Sequence, residues 1–177
     1  MDIDINHIAV GEIFAWHEQR RIDKLRGLKN IELNKEWYFL TINPRPDITL
    51  QEFMKTIQKA VLKRWITYYI FVIEQRGENE EELGKGFHTH IIFNKGIKHC
   101  KVVLEMANTF KKMCDTSNYH LFNLKNIGDE EKKRKIEYIT GCKKDEQKHL
   151  KQQMDIIFRK RENLKSYYIL EDASQIH

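Results

Sequence analysis

Hydrophobic and polar positions alternate along this chain with two periods, one near 3.6 and one near 2. Val10, Ile13, Phe14 and His17 share one helical stripe, with Leu25 and Leu28 further on, so residues 1–30 are expected to form an N-terminal helical segment. Residues 36–44 are a dense aromatic and β-branched run stopped by Pro44 and Pro46, the signature of a buried strand. Thr49 and Glu52 then stand at capping-box spacing. Leu50, Phe53, Met54, Ile57, Val61 and Leu62 follow at helical intervals, predicting an amphipathic helix to about Arg64. Residues 68–76 and 87–94 are two further strands, separated by the polar stretch GENEEELGKG and most simply paired as an antiparallel hairpin. Cys100, Val103, Leu104, Ala107, Phe110 and Cys114 mark a second helix, and 118–127 alternate as a fourth strand. From Asp129 the pattern is helical and very basic, with Ile136 and Ile139 among the lysines. Leu150, Met154, Ile157, Arg161 and Leu164 recur at roughly helical intervals and predict a final helix.

The order β-α-β-β-α-β followed by helices predicts an α+β fold. Its core is a four-stranded or larger antiparallel sheet with split β-α-β helices, plus N- and C-terminal helices. Three units are expected: the N-terminal segment 1–30, a central domain 36–145, and a C-terminal helical tail 146–177. With 41% hydrophobic and 32% charged residues, the chain can build a core and still solvate its surface. Its three cysteines include no CxxC pair, which argues against a disulfide framework or a zinc ribbon. No apolar run approaches the roughly 18 residues of a membrane span, and the N-terminus carries acids where a signal peptide needs bases. A soluble, intracellular protein with no membrane partner is expected. The net charge of +5 suits a polyanionic partner without requiring one.

His88 and His90 are two apart in a predicted strand, so both imidazoles leave the same face. Glu74, near the end of the preceding strand, can lie opposite them across a hairpin. An isolated His-x-His is usually a surface feature. This pair lies inside an apolar strand, where two titratable rings need a purpose, and a carboxylate is available on the neighbouring strand. Two imidazoles and one carboxylate suit a divalent cation, and mixed N/O ligation without thiolate points to Mn²⁺ or Mg²⁺ rather than structural zinc. Tyr138 lies in the basic helix, with Arg134 and Lys135 one turn before it. Taken alone it is an amphipathic helix-edge tyrosine. A phenolate is nonetheless a competent nucleophile toward phosphorus, and neighbouring cations would stabilise it or bind the phosphate.

Three stretches, Phe39-Leu-Thr-Ile-Asn43, His88-Thr-His90 and Tyr138-Ile-Thr-Gly-Cys-Lys-Lys, occur in this order on the predicted strand, strand and helix. Together they resemble the HUH endonucleases, specifically the endonuclease domain of replication-initiator (Rep) proteins of rolling-circle plasmids and small circular DNA viruses. The resemblance covers about residues 36–145. Two positions depart from the family pattern. Thr89 replaces a bulky apolar residue, and Gly141 and Cys142 stand where a lysine is usual after the tyrosine.

The resemblance implies nicking of single-stranded DNA at an origin, often in a hairpin loop, during the initiation of rolling-circle replication. Glu74, His88 and His90 would hold the metal, and Tyr138 would become joined to the 5′ phosphate, leaving a free 3′-hydroxyl. It also implies a plasmid or viral setting, in a bacterial cytoplasm or a eukaryotic nucleus. Six lysines against two acids in 95–128, and twelve bases against eight acids in 129–165, provide charge for a phosphate backbone or simply a solvated face. Three other readings remain: a single-strand DNA transposase or relaxase on the same scaffold, a non-enzymatic single-strand nucleic-acid-binding module, and a hydrolytic metallonuclease without tyrosine participation.

Overall fold

The structure, a computed structural model, describes residues 35–141 and 146–170. The expected helical segment 1–30 lies outside the described residues. The elements are β1 (Trp37–Ile42), α1 (Leu50–Val61), β2 (Tyr69–Gln75), a short 3₁₀ turn (Glu80–Glu82), β3 (Phe87–Asn94), α2 (His99–Phe110), β4 (Phe122–Ile127), α3 (Asp129–Thr140), α4 (Glu146–Arg161) and β5 (Tyr168–Leu170). Among the described residues, no helix is long and apolar enough to cross a membrane.

The strands form one five-stranded sheet in the order β4-β1-β3-β2-β5, with every neighbouring pair antiparallel. The fold is thus α+β with the split β-α-β arrangement that the element order predicts. Strand periodicity sorts the side chains onto two faces. Tyr38, Leu40, Ile42, Phe71, Ile73, Ile91 and Phe93 face α1 and α2, where Phe53, Ile57, Val103, Met106 and Phe110 complete the larger core. Helix α1 starts where the sequence says it should. Glu52 N–H donates to Thr49 Oγ1 and Thr49 N–H donates to Glu52 Oε2, a reciprocal cap for two otherwise orphaned donors.

The opposite face carries Phe39, Ile70, Val72, Ile92 and Ile127, covered by α3 through Ile139 and Ile136. This helix is mostly polar, so two isoleucines alone would grip the sheet weakly. Cations and an acid in the first turn supply the rest. Trp37 Nε1 donates to Asp129 Oδ1 (2.8 Å), and Lys132 Nζ stands 3.3 Å from the centroid of the Trp37 ring. Lys135 Nζ lies 4.7 Å from the Phe39 ring. Each such cation–π contact adds about 0.5–2 kcal/mol, according to its desolvation. Partial burial holds the Lys132 ammonium below the usual lysine range. Gly141 ends α3 at φ +119°, a left-handed conformation that a side chain would strain.

The chain beyond α3 is more than a helical tail. Strand β5 pairs with residues 69–71 of β2, and Tyr168 stacks on Phe71 at 4.6 Å. Further along the same edge, Asp155 Oδ1 accepts from Gln75 N–H (2.8 Å) and Arg159 Nη1 donates to the Ile73 carbonyl (3.0 Å). Residues 146–170 therefore close the outer edge of β2 with a strand at one end and helix side chains at the other. The stripe Leu150, Met154, Ile157, Arg161 and Leu164 is not the packed face of α4. Leu150 is 61% exposed and Ile157 50% exposed, whereas Asp155 and Phe158 are buried. The physical reason is that α4 meets a strand edge. Its inward side must supply a hydrogen-bond acceptor and donor as well as apolar surface.

Candidate active site

The β2–β3 hairpin positions the candidate metal-ligating residues. Its polar loop is pinned by the buried Gln75 carboxamide. Gln75 Oε1 accepts from Gly77 N–H (2.7 Å), and its Nε2 donates to the Gly77 carbonyl (2.8 Å). The register this sets places Glu74 directly opposite His88, with His90 two residues further on the same face.

Glu74 Oε2 lies 3.3 Å from His88 Nε2 and 3.8 Å from His90 Nε2. One ligand atom from each of the three residues falls within 4.8 Å of the others. Donors bound cis to one cation at about 2.1 Å stand roughly 3 Å apart, so the observed spacing fits a shared ion with little movement. The second ring nitrogen of His90 is held: Thr41 Oγ1, on β1, lies 2.9 Å from His90 Nδ1. With the proton on Nδ1, this bond leaves the Nε2 lone pair directed to the carboxylate side. His90 also stacks on Phe39 at 5.3 Å. His88 Nδ1 is buried with no hydrogen-bond partner, so packing and the Nε2 contact with Glu74 orient this ring. The three residues could hold a metal ion, with Glu74 only 6% exposed.

Helix α3 brings Tyr138 to the same place. Its ring centroid is 6.4 Å from that of His90, and it is about one-third exposed. Glu74, His88, His90 and Tyr138 line a single cavity of about 290 Å³. Its other walls come from Arg76 at the start of the hairpin loop and from Lys148, Lys151 and Asp155 on α4. Lys148 Nζ is 5.9 Å from the Tyr138 ring centroid.

The sequence candidates fall into two groups. Glu74, His88, His90 and Tyr138 come together. Arg134 and Lys135, expected beside Tyr138, do not line the cavity: Arg134 is exposed, and Lys135 is over Phe39. Among the other tyrosines, Tyr168 packs on Phe71, on the face away from the histidines, while Tyr119 and Tyr167 are exposed. Sequence reasoning missed Lys148, Lys151 and Asp155. Their i, i+3, i+7 spacing puts them on one helical face, but nothing in a polar triplet distinguishes that face from a solvated one. Comparison with family models, curated proteins and solved structures found no match to this chain.

Proposed function

We propose that this protein nicks and rejoins single-stranded DNA through a covalent tyrosine intermediate, in the manner of the HUH replication initiators. The observation that carries this reading is the meeting, in one cavity, of Tyr138 with the carboxylate and two imidazoles of Glu74, His88 and His90. A divalent cation held by those three residues, Mn²⁺ or Mg²⁺ by the chemistry of the donors, supplies Lewis-acid polarisation of a phosphoryl oxygen.

The chain's own residues do the rest. The Tyr138 oxygen attacks the scissile phosphorus, a new P–O bond forms to the phenol oxygen, and the bond to the 3′ oxygen breaks. The proton lost from the phenol is balanced by the one the departing 3′ oxygen takes up, giving a 3′-hydroxyl and a 5′-phosphotyrosine. Reversal of the same exchange rejoins strands without ATP, because one phosphodiester is traded for another. Thr41 Oγ1 is placed to accept from His90 Nδ1–H, the tautomer that coordination through Nε2 requires. In a replicon, such a nick at an origin provides the 3′ end from which rolling-circle synthesis starts.

The test is incubation with a randomised pool of single-stranded oligonucleotides and Mn²⁺, followed by a denaturing gel. The expected result is a protein band of higher mass that is absent with EDTA and absent from Tyr138→Phe. Peptide mapping should place the nucleotide on Tyr138. Adduct formation by Tyr138→Phe, or cleavage with no adduct, overturns the assignment.

A further inference from the structure

We propose that α4 is the phosphate-binding wall of this site, with Lys148 and Lys151 as its cations. The inference rests on the single-strand DNA reading above and names the residues that grip the strand. Lys148, Lys151 and Asp155 occupy one face of α4 and all line the cavity that holds Tyr138 and the metal ligands.

That face is fixed at both ends of the site. Asp155, 3% exposed, accepts from the N–H of Gln75, the residue after Glu74. Arg159 donates to the carbonyl of Ile73, the residue before it. At the other end, Gln152 Nε2 donates to the Gly141 carbonyl (2.7 Å), just past the end of the helix that carries Tyr138. Helix α4 thus ties the nucleophile's helix to the strand bearing the metal carboxylate, and the turn facing Tyr138 carries the two lysines.

The orientation of α4 also runs against ordinary amphipathic logic. The helix turns lysines toward the cavity and leaves Leu150, Ile156 and Ile157 half or more exposed. Among the charged residues that line the cavity, three are cations, Arg76, Lys148 and Lys151, against two acids. Glu74 faces the two imidazoles, and Asp155 is bonded to the strand. Cationic side chains therefore stand across from the metal ligands, with Tyr138 in the same cavity. A phosphodiester, carrying one negative charge and two free oxygens, matches that division. Lysine, a compact and mobile point charge, suits an anion that must shift as its bonds exchange.

The experiment measures binding of a fluorescent single-stranded 20-mer of mixed sequence by anisotropy, in EDTA, across a salt series. Neither the cation nor the tyrosine chemistry then contributes. Lys148→Gln/Lys151→Gln should lose about tenfold in affinity. Its plot of log affinity against log salt should be shallower by about 1.4, the value for two phosphate contacts on a single strand. Lys160→Gln, on the same helix but outside the cavity, is the charge control and should match the wild type. Mn²⁺ affinity, measured by calorimetry, should be no weaker in the double variant, which has lost two nearby positive charges, and this shows that the metal site and fold are intact. If the wild type binds the strand and the double variant matches it in affinity and slope, the lysine assignment falls while the nuclease reading stands. If the wild type does not bind single strands at all, the reading itself fails and takes this inference with it.

Discussion

Replacing Thr41 by valine removes one hydroxyl and keeps the shape and β-branching that suit a strand. That hydroxyl lies 2.9 Å from His90 Nδ1, on the far side of the ring from Glu74. In the metal-bound state Nδ1 must carry the proton, so the variant leaves an N–H facing a methyl group in a part-buried site. Losing such an outer partner of a metal-bound histidine weakens binding by ten- to a hundredfold, about 1.4–2.8 kcal/mol. The range agrees with the roughly 1–3 kcal/mol cost of orphaning a buried donor. Calorimetric titration with Mn²⁺, without DNA, reads the loss directly. Thr41→Ser keeps the oxygen and should bind close to wild type. The metal-free melting temperature of Thr41→Val should fall by no more than about 2–4 °C, the equivalent of about 1 kcal/mol in a chain of this size. Wild-type Mn²⁺ affinity in the valine variant, or equal weakening in both variants, would refute the role given to Thr41.

Two further outcomes concern stability. Tyr38 is fully buried and its hydroxyl lies 2.7 Å from His99 Nδ1, while burial, reinforced by Lys95, holds the His99 pKa below its ordinary 6.5. Between that lower value and 6.5 the unfolded chain takes a proton that the folded one refuses, so this contribution is fully present above pH 6.5 and is lost as pH falls through the window beneath it. Melting temperatures at pH 7.5, 6.5 and 5.5 should show a steeper decline in the wild type than in His99→Gln, and parallel curves would refute the linkage. Thr49→Ala removes the N-cap oxygen of α1 and should cost about 1 kcal/mol, seen as a fall of about 2–4 °C in a thermal melt, whereas Thr49→Ser should be near neutral.

The parts of the molecule legible in the sequence are those decided locally. Thr49 and Glu52 announce α1 because a capping box is written within four residues. His88 and His90 share a face because strand period is two, and Glu74 joins them because a hairpin fixes register over a short distance. Helix α4 was legible as a helix but not in its orientation. Apolar spacing selected Leu150 and Ile157, while the burial of Asp155 depends on an unpaired amide of β2, eighty positions earlier in the chain. The three residues of β5 are too few for a pattern and become a strand only against Tyr69, Ile70 and Phe71. The lysines of α4 were hidden for the same reason, since a cation's partner lies in the fold and not in its neighbours.

The closure of β2 by residues 146–170 has a consequence for how the protein is made. Strands β1 to β4 can assemble once residue 127 has emerged, with both histidines and Glu74 already in register. The outer edge of β2 then stays bare until β5 is synthesised, about 2–9 s at the roughly 5–20 residues per second of translation. During that interval an unpaired edge is open to the edge of another nascent chain, and exchange of α4 and β5 between two copies is the natural error. The helix that carries Tyr138 and the helix that faces it are among the last described elements to be made. A chain released early would carry the Glu74, His88 and His90 cluster without the walls that Tyr138, Lys148 and Lys151 give its cavity.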